Sequence, residues 1–430
     1  MSELRRGVKP EPTDIPAETG AEHATMDADN LNSQRMRAVT VTLAFTCGAA
    51  IANVYYAQPL LDLISHSFHV SQGSATIAVT ATQVGFALGL VFVLPLGDLL
   101  EVRNLALRTL ILTAVALGAA AAAPNLGVFL GVSVFVGASS VVAQILVPFA
   151  AHLAPPAQRG KFIGRVMSGL LLGILLARSI ASLTAAAWGW RSIYAISAGL
   201  MLVTCVAIWR YLPSLPTQHE STYPRLIRSV GQLLRAEPVL RQRALAQACM
   251  FATFTAYWTG ITYELIDEHG LNQTGIAVFA LAGAAGAAVA PIAGLIGDRG
   301  LGLVGRGANM LLACVAMLVA CFGHSHLVLL AVAGVVVDAA VQGNQVLSQR
   351  DIYALDEHAR ARINAGYMGT IFGTGAIASA LTGVLHAEFG WSGVAIFGAV
   401  MPMISFIVLW LPEALRSRRN RRREGCSALV

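Results

Sequence analysis

Two ionisable residues lie deep inside long apolar stretches of the chain. Of the 23 acidic residues, Asp338 alone lies at such a depth, and Arg178 is the corresponding deep base. A charged side chain at the centre of a membrane helix costs about 2.5–3.5 kcal/mol on insertion scales. Two such costs indicate that the buried charges have a role. A carboxylate and a guanidinium can form an ion pair or take part in proton exchange.

Three interpretations of Asp338 and Arg178 remain open. They could form an ion pair that closes in one conformation and breaks in another. Asp338 could instead bind and release a proton, with Arg178 favouring its charged form until the two separate. Moving one charge through the membrane field is worth about 2.3 kcal/mol per 100 mV, so protonation at this depth could drive a cycle. In the third interpretation, the two residues form a fixed pair that only locks helix packing.

The composition indicates that a membrane surrounds these stretches. Hydrophobic residues make up 56% of the 430 and charged residues only 12%, and the mean hydropathy is +0.65, whereas soluble proteins are about 25% charged. A bilayer core about 30 Å thick takes about 20 apolar residues per helix. We therefore predict an all-α integral membrane protein with twelve transmembrane helices, at residues 38–60, 75–96, 105–123, 127–152, 163–186, 192–211, 244–265, 274–297, 307–323, 327–347, 363–387 and 392–411.

The basic residues predict the orientation of these helices. With both termini in the cytoplasm, all of the 29 Lys and Arg residues except Arg178 and Arg191 fall on the cytoplasmic side, as the positive-inside rule expects. This indicates a multi-pass protein of the cell inner (plasma) membrane. Residues 1–37 are predicted to be a disordered cytoplasmic tail. The basic cytoplasmic tail 412–430 is predicted to contact membrane lipid rather than nucleic acid.

The two halves of the chain resemble each other. A polar stretch at 212–243, predicted as a cytoplasmic linker, separates six helices in 38–211 from six in 244–411. A shift of 201 residues superimposes polar and aromatic positions: Tyr56 on Tyr257, Gln144 on Gln345, and Gly189–Trp190 on Gly390–Trp391. Two similar bundles in the same orientation are typical of secondary transporters, which bind substrate between them near the middle of the membrane.

The sequence from about 38 to 412 resembles the major facilitator superfamily. The loop with Gly97, Asp98 and Arg103 is similar to its inner-loop signature, which Gly294, Asp298 and Arg299 repeat after the eighth helix. Finer features resemble the bacterial branch named for arabinose efflux, in residues 53–61, 95–98 and 171–178. The resemblance implies a monomeric secondary active transporter that moves a small polar organic solute by alternating access. Proton-coupled efflux is the leading expectation and proton-coupled uptake the alternative, with no cofactor besides the proton gradient.

The resemblance also implies roles for particular residues. In this superfamily the first, fourth, seventh and tenth spans line the substrate cavity, and their polar residues here are Asn53, Tyr56, Gln58, Gln144, Tyr257, Trp258, Gln342 and Gln345. Amide and phenol groups suit a neutral or zwitterionic solute, although each could instead hydrogen-bond between helices, worth under about 2 kcal/mol. The loop residues Gly97, Asp98, Arg103, Gly294, Asp298 and Arg299 imply a gate at the inner side, where carboxylates meet helix N-termini and arginines.

The sequence departs from the superfamily pattern in two spans. Ser133 stands about where the fourth span usually has an arginine. The antiporter motif of the fifth span keeps Gly169 and Gly173. Ile174 replaces its proline, and Ala177 and Arg178 stand in place of its later glycines. Drug–proton antiport therefore does not follow from the resemblance, and uptake stays open.

The sequence lacks the residues that nucleotide binding, a metal site or intramembrane proteolysis would require. Residues 300–305 spell G-x-G-x-x-G but lie in a loop between membrane helices rather than after a strand. His324 and His326 have no carboxylate or cysteine beside them in the sequence, so we predict no metal site. A lone Asp338 does not make an intramembrane protease, and neither tail is long enough for a sensor domain. We therefore expect neither an enzyme nor a sensor.

Overall fold

The computed structural model describes residues 36–153, 159–214, 222–286, 299–356 and 359–415, and they are almost entirely helical. We number the helices α1 Met36–Ala52, α2 Leu61–Phe68, α3 Gln72–Phe92, α4 Val102–Ala121, α5 Leu126–Ser139, α6 Val142–Leu153, α7 Arg159–Trp188, α8 Arg191–Tyr211, α9 Tyr223–Ala236, α10 Pro238–Asp267, α11 Gln273–Gly286, α12 Gly302–Phe322, α13 Leu327–Tyr353 and α14 Arg360–Ile404. The predicted all-α membrane fold is confirmed.

Eight helical stretches in the described ranges are long and apolar enough to cross a membrane. α1 and α11 are shorter apolar helices, and α10 carries the seventh predicted span. α14 and the π-helical turn that follows it, Ser405–Trp410, contain the last two predicted spans. Twelve crossings remain a prediction for the whole chain.

Two predicted spans are interrupted. The first, predicted as continuous over 38–60, ends as an α-helix at Ala52 and continues through a turn into a 3₁₀ segment, Gln58–Leu60. Pro59 in that segment has no N–H to donate, and its ring obstructs the preceding helical turn. The fourth span breaks between α5 and α6, where the Ser140 hydroxyl donates to the Val136 carbonyl at 2.7 Å. Such side-chain bonds to the backbone compete with the regular helix.

The predicted linker contains a helix of its own. Within 212–243, α9 buries Leu226 and Val230, whose spacing of four residues places them on one face. The Tyr223 hydroxyl donates to the Phe92 carbonyl of α3 at 2.7 Å, and α9 also packs on α14. α10 begins at Pro238, six residues before the span predicted at 244. The linker is therefore partly packed on both halves rather than a plain polar connection.

The internal repeat is visible at two matching glycines. Gly189, between α7 and α8, has φ +83°, and Gly390, 201 residues later, has φ +61° and bends α14. Glycine adopts this left-handed region without the cost that other residues meet. Trp190 and Trp391 follow directly, and both are buried. The bend at Gly390 divides α14 into two arms that correspond to the eleventh and twelfth predicted spans.

α3 of the first half and α14 of the second half pack against each other along their lengths. The rings of Phe86 and Phe372 lie 4.4 Å apart between centroids near the middle of this contact. Farther along, the Ser379 hydroxyl donates to the Thr76 carbonyl at 3.4 Å. α7 and α11 form a second contact between the halves. These two contacts flank the space in which the candidate site lies.

Candidate functional site

A cavity of about 930 Å³ lies between the two halves. It reaches Asp98 and Arg360 at one side of the molecule, which we call the basic end because the arginine-bearing ends of α4, α12, α13 and α14 lie there. In the other direction it ends at the aromatic rings of Tyr55 and Phe254. Both halves contribute to its lining, as expected for a site between two bundles.

Hydrogen bonds between the halves close the side of the molecule away from the basic end, which we call the opposite end. The Tyr263 hydroxyl of α10 donates to the Gln72 carbonyl at the start of α3 at 2.8 Å. The Thr262 hydroxyl donates to the Gln58 carbonyl at 3.1 Å. The Ser379–Thr76 bond described above belongs to the same region. In this conformation the cavity is therefore approached from the basic end.

Arg178 of α7 is buried in a cage of aromatic rings beyond the end of the cavity. Its guanidinium carbon lies 4.1 Å from the ring centre of Trp258, 4.9 Å from that of Phe254 and 5.4 Å from that of Tyr55. Its Nε donates to Gln58 Oε1 at 2.8 Å, and only 2% of the residue is exposed. A desolvated cation over an aromatic face gains about 2 kcal/mol. The cage thus compensates a charge that sits far from water.

Asp338 of α13 contacts the N–H edge of the same indole. Trp258 Nε1 donates to Asp338 Oδ1 at 2.7 Å, and Asp338 is 2% exposed. Among the described ion pairs, none with N···O within 4.0 Å joins Arg178 to Asp338. In this conformation Arg178 and Asp338 therefore form no direct ion pair and both contact Trp258; whether they pair in another conformation stays a prediction. One indole contacts the cation with its face and the carboxylate with its N–H.

Three of the predicted cavity residues line the cavity. They are Gln144 of α6 and Gln342 and Gln345 of α13. Gln144 Oε1 also accepts a hydrogen bond from Asn364 Nδ2 of α14 at 3.3 Å. Gln58 and Trp258 are not in the lining, because they bind Arg178 and Asp338 instead. Of these five predicted residues, three line the cavity and two contact the deep charges Arg178 and Asp338.

The other three predicted cavity residues, Asn53, Tyr56 and Tyr257, pack inside one half. Asn53 Oδ1 accepts from the Ser197 hydroxyl at 2.7 Å, and the ring of Tyr56 meets Tyr194 edge-on. The Tyr257 hydroxyl donates to the Leu330 carbonyl at 2.6 Å. None of the three is among the residues that line the cavity in this conformation. Whether they contact substrate or only join helices stays a prediction.

Only part of the predicted gate lies in the described residues. Gly97 and Asp98 end the 3₁₀ segment after α3, and Asp98 lies at the cavity mouth. Arg103 Nη2 donates to the Trp209 carbonyl at the end of α8. Arg299 is exposed in the turn before α12, whereas Gly294 and Asp298 lie outside the described residues. The gate therefore stays a prediction.

An ionic cluster at the basic end was missed from the sequence. Arg243 Nη2 and Arg306 Nη2 lie 2.6 and 3.0 Å from Glu413 Oε1. Arg243 Nε and Arg306 Nη1 lie 2.8 and 2.5 Å from Asp351 Oδ2. Burial lowers the pKa of Arg243, but the hydrogen bonds and charges of Glu413 and Asp351 outweigh it and leave that pKa raised. The cluster ties α10, α12 and α13 to the segment after α14.

Sequence proximity could not show the partners of the histidines. His324 Nδ1 lies 3.0 Å from Glu264 Oε1 of α10, although the sequence places no carboxylate beside it. Across the ranges given above, no group of three or more His, Cys, Asp and Glu side chains could hold a metal ion. His324 and Glu264 therefore form a two-residue contact at the opposite end.

Comparisons with known proteins agree with this architecture. The family model of the Major Facilitator Superfamily matches residues 43–353. The transporter YgaY of Escherichia coli (strain K12) is 39% identical over 380 residues, which are 88% of this chain and 96% of that protein. The transporter SCO4007 of Streptomyces coelicolor is 31% identical, covering 95% of this chain and 94% of that protein.

Solved structures share the fold at low sequence identity. The structure of the nucleoside transporter NupG has a TM-score of 0.70 at 12% identity and covers 86% of this chain and 98% of its own. The structure of a D-xylose–proton symporter has a TM-score of 0.64 at 14% identity and covers 86% of this chain and 97% of its own. At these identities the likeness extends to the fold alone.

Proposed function

The chain belongs to the major facilitator superfamily of transporters, and from this premise we propose that it exports a small polar organic solute in exchange for protons by alternating access. Its family and its relatives are transporters, not enzymes. The cavity between the halves is the observation that carries the proposal. It is lined from both bundles, reaches the basic end and stops beneath bonds that join the bundles at the opposite end.

Asp338 is the group that we propose to couple the cycle to protons. It is buried at the depth where the cavity ends and is held by Trp258 rather than by a counter-ion. When the halves move apart at the opposite end, Arg178 on α7 and Trp258 on α10 would separate, because they belong to different halves. The carboxylate would then lose the nearby cation and gain access to water, which are two changes that alter its affinity for a proton.

The proposed direction of transport is export. The similarity of residues 53–61 and 95–98 to the efflux branch supports it. Uptake is the alternative, since the span-5 antiporter motif is altered and a D-xylose–proton symporter shares the fold. The proposed location is the inner membrane with both termini in the cytoplasm, supported by the distribution of arginines.

Flux into everted membrane vesicles tests the proposal. In everted vesicles the cytoplasmic face of the membrane points outward. Radiolabelled metabolites and drugs are added outside the vesicles, with and without a pH gradient that is acid inside. Export coupled to protons predicts accumulation inside that collapses when an ionophore dissipates the gradient. Accumulation that ignores the gradient would exclude proton coupling. Accumulation only in right-side-out vesicles, driven by an inward proton gradient, would instead establish uptake.

A further inference from the structure

The cavity has two chemically different walls, and the first is a row of carboxamides on α13. Gln342, Gln345 and Gln349 follow each other at intervals of three and four residues, which places them on one helix face, and all three line the cavity. Seven residues of helix span about 10 Å. The side chains are half-buried, and none makes a hydrogen bond to another described residue.

A neighbouring polar residue of α13 behaves differently. Asn344 Nδ2 donates to Gln247 Oε1 of α10 at 2.6 Å, and Gln247 Nε2 donates to the Val341 carbonyl at 3.2 Å. Asn344 is therefore used to pack α13 on α10, whereas the three cavity glutamines keep donors and acceptors for a ligand. A carboxamide offers two N–H donors and one carbonyl acceptor.

The second wall is an apolar face of α7. Ile163, Met167, Leu170, Leu171 and Ile174 recur at helical spacing and line the cavity. Their neighbour Leu172 points away from it and is 55% exposed on the outer surface of the bundle. The five residues thus form a defined apolar face of α7 toward the cavity, and Leu172 lies outside that face.

Charge is confined to the mouth of the cavity. Among the described lining residues, Asp98 and Arg360 at the basic end carry the formal charges. The walls between them and Tyr55 are amide, aromatic and aliphatic. A charged group of a ligand placed along these walls would lose its water without an opposite charge among the lining residues, because Arg178 lies behind the rings of Tyr55 and Phe254; such a loss is costly.

We propose that this cavity binds an uncharged, amphipathic organic molecule about 10 Å long, with one apolar face against α7 and hydrogen-bonding groups along the α13 row. The proposal rests on the proposed function, because it names the substrate class of the same cavity. It excludes zwitterions, which the polar residues alone had left open. It also excludes uniformly polar solutes, because these would leave the α7 face unmatched.

Matched triples of compounds test the substrate class on the full-length protein in detergent. Each triple contains a neutral amphipathic parent, a charged derivative and a fragment that lacks the apolar part; phenyl β-D-glucoside, phenyl β-D-glucuronide and D-glucose form one such triple. The midpoint of thermal unfolding is recorded with millimolar compound. Stabilisation by neutral amphipathic parents, but not by their partners, is the expected result. If no parent in the set stabilises the protein, or if charged or uniformly polar members stabilise it more, the proposal is overturned.

Variants then locate the bound parent on the two walls. Gln345→Ala should weaken its binding about tenfold, equivalent to about 1.4 kcal/mol. Leu171→Ala should weaken binding severalfold, whereas Leu172→Ala, the same change one residue along but outside the cavity, should leave it unchanged. Equal effects of Leu171→Ala and Leu172→Ala would contradict the two-walled site.

Flux of the same compounds separates this inference from the proposed function. A charged or uniformly polar solute that accumulates in everted vesicles would refute the substrate class and leave transport standing. Parents that bind with the expected variant pattern but never accumulate in either vesicle orientation would support the substrate class and refute transport.

Discussion

At the scale of single residues, Trp258 determines how the two deep charges coexist. Its ring face contacts the Arg178 guanidinium, and its N–H binds Asp338. Arg178 is thereby held by rings of both halves, while Asp338 keeps a hydrogen bond within the second half. A change in the distance between the halves would disturb Arg178 first and Asp338 through it.

Asp338→Asn should abolish proton-driven accumulation of solute and leave the protein folded. The asparagine carbonyl can still accept the Trp258 N–H, but it carries no titratable proton. We expect accumulation against a gradient to fall to background, and gradient-independent exchange of solute to continue, in reconstituted vesicles. Asp267→Asn, at an exposed position near the end of α10, is the matched control. Undiminished accumulation by Asp338→Asn would show that another group couples transport.

The sequence predicted the deep charges but not their contacts. Asp338 and Arg178 stand out because charge is costly in an apolar helix, a property of each position alone. That both contact Trp258 depends on how Arg178 of the first half meets α10 of the second. For the same reason Asn53, Tyr56 and Tyr257 could not be told from cavity residues, because their partners Ser197, Tyr194 and Leu330 are distant in sequence.

At the scale of elements, the basic end of the second half is held by an ionic cluster that joins four helical segments. Arg243 and Arg306 are 7% and 4% exposed, and both contact Glu413 and Asp351. Each carboxylate therefore forms ion pairs with two buried guanidinium groups. Loss of one acid would leave two guanidinium groups to share the other.

Glu413→Gln should lower stability substantially. Breaking a fully buried ion pair costs about 3–5 kcal/mol, and we expect about 2–3 kcal/mol here because the Glu413 side chain is 26% exposed. The midpoint of thermal unfolding in detergent should fall by several degrees. Glu388→Gln, an exposed position of α14, should change it little. Equal midpoints for the two variants would mean that the cluster contributes no net stability.

The crossing of α1 and α7 depends on glycine. A Cβ added at Gly173 would overlap the Gly48 carbonyl of α1, whereas a Cβ added at Gly164 meets nothing within 4 Å. Gly173→Ala should therefore separate the two helices and reduce the yield of folded protein. Gly164→Ala on the same helix should be neutral or stabilise by up to about 1 kcal/mol. Size-exclusion profiles and unfolding midpoints compare the two, and a normal Gly173→Ala protein would refute the close approach.

Helix positions could be predicted, but interruptions could not. Apolar stretches and flanking arginines located the membrane segments, because length and polarity are local properties. The break at Ser140 lies within apolar sequence, so composition gives no signal there. Pro59 signals a break in the first span, but it does not show that the α-helix ends as early as Ala52. α9 could have been predicted from apolar spacing, because Leu226 and Val230 lie four residues apart. The average polarity of the stretch obscured this pattern.

At the scale of the whole molecule, two bundles enclose a cavity that is approached from one side. Large apolar side chains such as Phe45, Leu172, Val203 and Phe322 are exposed on the surface, as suits contact with lipid chains rather than water. The halves meet through α3–α14 and α7–α11 and at the bonds of the opposite end. The internal repeat at Gly189 and Gly390 made this symmetry predictable, whereas the side on which the cavity opens depends on packing between the halves.

Distances between spin labels test the alternation of access most directly. One labelled pair, Arg165→Cys with Ala354→Cys, spans the basic end, and another, Ala122→Cys with Ser325→Cys, spans the opposite end; all four positions are exposed. In lipid, we predict two distance populations for each pair, with a shift in pH or a transported solute shortening one pair as it lengthens the other. A single unchanging distance at both ends, or simultaneous lengthening at both, would contradict alternating access.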